Sequence, residues 1–237
     1  SGGFVGSVVG QSGLGSGATV TNSYATGEVE SDNATNTSGA GGFARVFRYA
    51  SCDNCYATGQ VTSDDDGAGF IENSEFSNIT NSYATGNVFG KDASGFVDNF
   101  KGGTCTNCYA TGDATGTEGA FGFSHFPWAG AVFNKIHATG TVTSLDSTLG
   151  TRDVSGLFGY LSGANGDVTI TNCYSTSNLI AQPGNSEVGG IIAELNSYQN
   201  TMTITNCYFA GTITGGNNVG TIIGRNNFSG GSLITTD

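Results

Sequence analysis

Proline, basic residues and long apolar runs are nearly missing from this chain, and each shortage excludes something. There are two prolines, one methionine and one tryptophan. No window keeps a helical period, so little or no helix is expected. No apolar run approaches the ~18 residues that a membrane-spanning helix needs. Lys plus Arg number 7 against 19 Asp plus Glu, a net charge of -12. Phosphate backbones and anionic membrane surfaces attract basic faces, so neither nucleic acid nor membrane insertion is expected. The acidity suits a soluble secreted protein that uses divalent cations. There is no initiating Met and no signal peptide, and the chain opens inside a repeat unit. The expectation is a mature or excised piece.

Glycine is plentiful, with 40 residues, and accompanies many Thr, Val, Tyr and Phe. That mixture predicts short strands joined by tight turns. The stretch Val20-Thr21-Asn22-Ser23-Tyr24-Ala25-Thr26-Gly27-Glu28-Val29 recurs six times, beginning at Cys52, Ile79, Cys105, Phe133, Ile170 and Ile204. Tyr24 is answered by Tyr56, Tyr83, Tyr109, His137, Tyr174 and Tyr208, at steps of 32, 27, 26, 28, 37 and 34 residues. Periods of this size mark a stacked-repeat architecture. A second motif, Gly2-Gly3-Phe4-Val5-Gly6, alternates with the first. Its later forms centre on Phe43, Phe70, Phe96, Phe123, Leu157, Ile191 and Ile222.

The predicted fold is all-β: a single-stranded parallel β-helix (β-solenoid) of about seven coils of 26–39 residues. It forms one domain over 1–237, a segment of a longer protein or a self-assembling unit. Coils ~4.8 Å apart give a rod of ~34 Å with unpaired strand edges at its ends. Residues 226–237 are the candidate cap. Residues 30–40, 144–153 and 180–187 read as insertions on the solvent side.

Alternate residues of a strand face one side, so the stacked copies can be read as columns. The Ser23, Ala25 and Val29 columns are small or apolar and are placed inward. The Tyr24, Thr26 and Glu28 columns are placed outward. Bringing Val20 inward as well requires a bend at Asn22 and its equivalents. Asparagine tolerates left-handed angles there, and stacked amides can bond along the axis. Two residues beyond the phenylalanine column lie Arg45, Glu72, Asp98 and His125. The orientation of this strand stays open.

Gly-Gly-Phe-Val-Gly followed by Thr-Asn-Ser-Tyr-Ala-Thr-Gly-x-Val resembles the GLUG-motif repeats of large bacterial and archaeal surface proteins. The resemblance covers nearly the whole chain and is similar to parallel β-solenoid adhesins and the passenger regions of secreted proteins. It implies structural motif residues and no catalytic ones. The fifth unit departs from it, with Lys135-Ile136-His137 where Asn-Cys-Tyr is expected.

All six cysteines fall in two columns. Cys52 and Cys105 replace the aliphatic residue just where Cys55 and Cys108 replace serine, which pairs each within its own coil. Cys173 and Cys207 occupy one column in successive coils, ~4.8 Å apart, inside the ~4.4–6.8 Å disulfide range. The expected bonds are 52–55, 105–108 and 173–207, in an oxidising, extracellular or cell-surface setting. A four-thiolate zinc site is the alternative, but the two Cys-x-x-Cys pairs lie roughly 10 Å apart, too far for one ion. No helix N-terminus is in view to activate a redox pair.

Four surface features compete for function. The tyrosine ladder offers aromatic surface to sugar rings or a flat partner, or else only stacks to hold the coils. The threonine column is the kind of array found in ice-binding solenoids, here interrupted by tyrosines. The Arg45, Glu72, Asp98, His125 column resembles, in kind, the acid/base sites of β-helical polysaccharide-cleaving enzymes, or else is a surface ion-pair ladder. Asp64, Asp65 and Asp66 form the one candidate calcium site, with no other cofactor expected. Asn33, Asn36, Asn78 and Asn227 are glycosylation sequons. The expected function is a non-catalytic extracellular structural or adhesive protein, not an enzyme. Its expected partners are further copies or flanking repeats in a fibre, and a glycan or other cell-surface ligand.

Overall fold

The computed structural model describes residues 1–12, 17–32, 39–145, 153–162, 166–182, 187–196, 200–227 and 232–236. Among them there is no helix, and every strand pairing is parallel, as a β-solenoid requires. Six turns carry the chain from Tyr24 to Tyr208, giving the tyrosine ladder seven layers.

The third coil shows the plan. Gly67–Ala68 leads into Ile71–Thr80, then Tyr83–Ala84, then Val88–Ser94, whose last residues already belong to the next layer. The inner columns lie where parity puts them. Ala57, Ala84, Ala110 and Ala138 are buried, as are Val29, Val61, Val88 and Val142. Cys55, Ser82, Cys108, Ile136 and Cys173 are buried beneath the tyrosines.

The bend at Asn22 is a left-handed residue in every layer. Asn22, Asn54, Asn81, Asn107, Lys135, Asn172 and Asn206 have φ between 50° and 57°. Their amides bond from coil to coil: Asn54 Nδ2 donates to Asn22 Oδ1 at 2.7 Å, and Asn107 to Asn81 at 2.7 Å. Asn206 donates to Asn172 at 2.6 Å. Asn81 turns instead to Asp53 Oδ1, at 2.7 Å. The ladder breaks at Lys135, and Asn172 reaches the neighbouring Asn134 at 2.9 Å. A second corner, unforeseen, uses left-handed Tyr49, Phe76 and Ala129.

The glycine–phenylalanine strand resolves at a third corner. Phe43 and Ala44 both donate their N–H groups to the Phe70 carbonyl, and Phe70 and Ile71 both donate to Phe96. The chain turns there, so both residues face inward. Phe43, Phe70, Phe96 and Phe123 stack in the core at 4.7–4.8 Å. The glycine before each phenylalanine sits at the closest approach across the core. A Cβ on Gly95 would collide with the Gly122 carbonyl and lie 3.1 Å from the Ala110 methyl. The glycine column and the alanine column of the tyrosine strand therefore explain each other.

One expectation is met in part and another needs correction. The interiors of the three long loops lie outside the described residues. At their described ends Glu30, Asp32, Leu145 and Ile180 are exposed, whereas Ser31, Ala40, Ser144, Asp153, Ala181 and Glu187 are buried in or beside the strands of the second sheet. The described part of 226–237 does not fold across an end. Ser232–Thr236 extends the stack as a further parallel strand on Thr201–Thr205.

Candidate functional site

Beyond the glycine–phenylalanine corner the chain bends so that two outward faces look at each other. On one side is the column Arg45, Glu72, Asp98, His125, two residues after the phenylalanine position. On the other is Gly39, Asp66, Asp92, Gly119, Asp153, Glu187, four residues before it. Contacts cross the corner directly. Ser94 Oγ donates to Asp98 Oδ1 at 3.0 Å, and the His125 ring stacks on Phe121 at 4.4 Å. Between the two columns runs a groove of about 660 Å³. Asp66, Asn99, His125, Phe126, Asp153, Tyr160, Glu194, Asn196, Arg225 and Asn227 line it.

Its charges are organised by burial. Asp98 is fully buried; Asn99 Nδ2 donates to it at 2.7 Å, and His125 Nδ1 lies 3.4 Å away. Burial pushes the Asp98 carboxyl up, against the pull of His125. Burial also opposes charge on His125, but the Asp98 carboxylate outweighs it and lifts the imidazole to about 9. Burial, then the nearby charges of Asp98 and Asp92, raises Asp66 to about 8. Glu72 rises to about 7 through burial and Asp98, with Arg45 Nε pulling the other way from 4.0 Å. Asp153 rises to about 7 through burial, then Glu194 and Glu187, and its Oδ1 has no hydrogen-bond partner. Glu187 accepts from Arg225 at 2.9 Å and Asn218 at 3.2 Å, and Asn227 donates to Glu194 at 2.9 Å.

The sequence-derived residues fall as follows. Glu72, Asp98 and His125 do neighbour one another, but only His125 lines the groove, with Asp98 buried behind it. Asp66 joins them, while Asp64 is exposed and turns away. Among the described residues no three His, Cys, Asp or Glu side chains converge as a metal-binding set. Asp153, Glu194, Phe126, Tyr160 and Asn196 were missed. The available signal was the acidic residue four before each phenylalanine position in the third, fourth, sixth and seventh layers.

The tyrosine ladder is continuous, with ring centroids 4.9–5.0 Å apart and planes within 12°, His137 serving as one rung. Each inner ring thus has its faces covered by its neighbours and shows solvent only an edge. A sugar ring has no open face to stack on at those inner rungs, whereas the end rings, Tyr24 and Tyr208, are exposed. The threonines beside it form a single column, with Thr26, Thr58 and Thr176 exposed and Thr85, Thr111 and Thr139 half-buried.

All six cysteines are free thiols, and they sit in the three expected pairs. Each pair is within hydrogen-bonding reach: Cys52 with Cys55, Cys105 with Cys108, Cys173 with Cys207. The bond from Cys52 lowers Cys55 to about 7, and that from Cys173 does the same for Cys207. Of the sequons, Asn33 and Asn36 lie outside the described residues. Asn78 is exposed and accepts from Thr104 at 2.8 Å, whereas the Asn227 amide is engaged by Glu194 in the groove.

Comparison with protein-family models, with curated proteins and with solved structures finds no match.

Proposed function

We propose that the chain is a non-catalytic extracellular rod of the GLUG-motif type it resembles, a segment of a surface adhesin or a building block of a fibre. One observation carries this reading: the seven-layer tyrosine ladder, unbroken in register through a change of residue at His137. Six stacked contacts at about 0.5–1.5 kcal/mol each brace neighbouring coils along the whole stack. A stack held this evenly is suited to bear load and repeat a surface, and the acidic charge keeps it soluble outside the cell. The paired thiols are placed to become disulfide staples in an oxidising compartment. Electron microscopy at rising protein concentration, with a bead-adhesion assay, tests it. End-to-end or side-by-side rods and retained beads are expected. Isolated particles with no retention at any concentration would refute it.

The groove favours a second reading, a glycan-cleaving enzyme, because Asp153 in its lining is raised by burial to about 7, where general acids and bases work, with Asp66 and His125 along the same trough. New reducing ends released by the chain, and lost in Asp153→Asn and Asp66→Asn, would establish it. A chain that releases none removes it.

A further inference from the structure

We propose that Asn78 carries an N-linked glycan whose first sugars lie in an aromatic-walled trough beside it, at the corner held by Tyr49 and Phe76. The proposal shares with the rod reading only an extracellular setting. A fibre can form without the glycan, and a glycosylated chain can stay a single particle.

Position singles out this asparagine. Asn78-Ile79-Thr80 has the acceptor spacing, as do the sequons of Asn33, Asn36 and Asn227. Asn33 and Asn36 lie outside the described residues. A glycan on Asn227 would break the bond from its Nδ2 to Glu194. Asn78 is exposed on Ile71–Thr80 and is held by its other terminal atom: Thr104 Oγ1 donates to Asn78 Oδ1 at 2.8 Å. Thr104 stands in the layer after it. The two terminal atoms of an amide diverge, so Nδ2, the atom that bears a glycan, is turned toward the layers before.

The trough lies on that side. It has a volume of about 350 Å³, and Gln11, Thr19, Tyr49, Ser51, Phe76 and Asn78 are among the residues that line it. Thr19, Ser51 and Asn78 are one column in successive layers, so the trough runs two coil steps, about 10 Å, along the axis. That column meets a sugar with hydroxyls. The rings of Tyr49 and Phe76, stacked at 5.5 Å, form the other wall, and Phe76 is 43% exposed. Sugar C–H bonds carry slight positive charge and pack against the π-electrons of such rings. No ionised side chain lines the trough, so an uncharged sugar desolvates no charge there.

The backbone is an independent ground. Tyr49 has φ 48° and Phe76 φ 47°, where bulky side chains are outliers. The corner itself asks for no ring. The next layers fill it with Gly102 at φ 64° and Ala129 at φ 56°. Strain kept twice where glycine would relieve it marks rings held for a contact.

Attachment precedes closure of the coil. In the fold Asn78 and Thr80 are paired on both sides, and Thr80 Oγ1 donates to Asp53 Oδ1 at 2.6 Å. The donor class is an oligosaccharide on a polyisoprenyl diphosphate. Its C1–O bond to phosphate breaks and a C1–N bond to Asn78 Nδ2 forms. The amide gives one proton to the transferase, and the diphosphate leaves on its lipid. Folding then lays the first sugars in the trough.

Secretion of the chain from cells that glycosylate asparagine, with glycopeptide mass spectrometry and thermal melting, tests this. Asn78 should be occupied in most molecules. An endoglycosidase then trims the glycan to a single N-acetylglucosamine. The trimmed parent should melt about 2–4 °C above Asn78→Gln, the shift of one aromatic contact in a chain this long. Glycans on other sequons are common to both chains and cancel. In a Phe76→Ala background the same comparison should give less than half of that rise. Alanine already serves this corner at Ala129, and Tyr49→Ala carries the comparison if Phe76→Ala does not fold. An unoccupied Asn78 overturns the proposal. So does a trimmed parent no more stable than Asn78→Gln, or a rise that the folded ring variants leave intact. Rods formed by a chain with Asn78 unoccupied would overturn this site and leave the fibre reading standing.

Discussion

Replacing Asp153 with asparagine should make this protein more stable at pH 8 and leave it unchanged near pH 4. The carboxyl is 8% exposed, beside Glu194 and Glu187, with Oδ1 unpartnered. Its pKa stands at about 7 in the fold against an ordinary 3.8. Below 3.8 both folded and unfolded chains hold the proton, so the group is neutral to stability. Between 3.8 and 7 the unfolded chain loses it first, and stability falls by about 1.4 kcal/mol per pH unit. Above 7 the full cost remains, with a ceiling of about 4 kcal/mol. Asp66 and Glu72, also raised by burial, act in the same sense. His125, raised to about 9, stabilises fully below 6.5 and loses that contribution as pH climbs through 9. The groove therefore favours an acid-side stability maximum, and Asp153→Asn removes one component of the decline. Urea unfolding at pH 4.5 and pH 8 measures it. With a slope of about 1–3 kcal/mol per molar urea, the pH 8 midpoint should rise by about 1 M or more. An equal shift at both pH values, or a lower midpoint at pH 8, would refute the reasoning.

Other perturbations probe the stack itself. Phe96 is fully buried between Phe70 and Phe123, whereas Phe4 is 48% exposed and stacks only on Phe43. Phe96→Ala should cost about 3–5 kcal/mol and Phe4→Ala less than half of that, and equal losses in urea unfolding would contradict the ladder. Lys135→Asn places an amide at the one layer of the asparagine column that lacks it, which should raise Tm by a few degrees, about 1 kcal/mol of stability. Under mild oxidation, peptide mapping without reductant should recover bonds 52–55, 105–108 and 173–207, and any crossed pairing would break the column assignment.

The strand columns were legible because a core lining repeats one chemical demand in every layer, and repetition exposes it. Val29, Val61 and Val88 answer the same inward position, so period and parity together reveal the face. Even the left-handed bend showed itself, since Asn recurs where only a tolerant residue fits, and Lys135 kept the angle without the amide. The groove was harder for the opposite reason. A binding surface differs from layer to layer, so the column of Arg45, Glu72, Asp98 and His125 repeats no single chemistry, and neither does the adjacent one that holds Tyr160, Glu194 and Arg225. Their meeting with Asp66 and Asp153 depends on the sign of the bend at the glycine–phenylalanine corner. That sign comes from two consecutive inward residues, Phe96 and Val97, where alternation predicts one. A strict period of two hides such a corner, and so puts Asp98 on the same face as Phe96 instead of opposite Asp66. The acidic residue four before the phenylalanine was in plain sight, but it gains meaning only once the chain is known to fold back towards it. In a solenoid the departures from the repeat are therefore where specific chemistry should be sought, and here the layers from Asp98 to Glu194 hold nearly all of them.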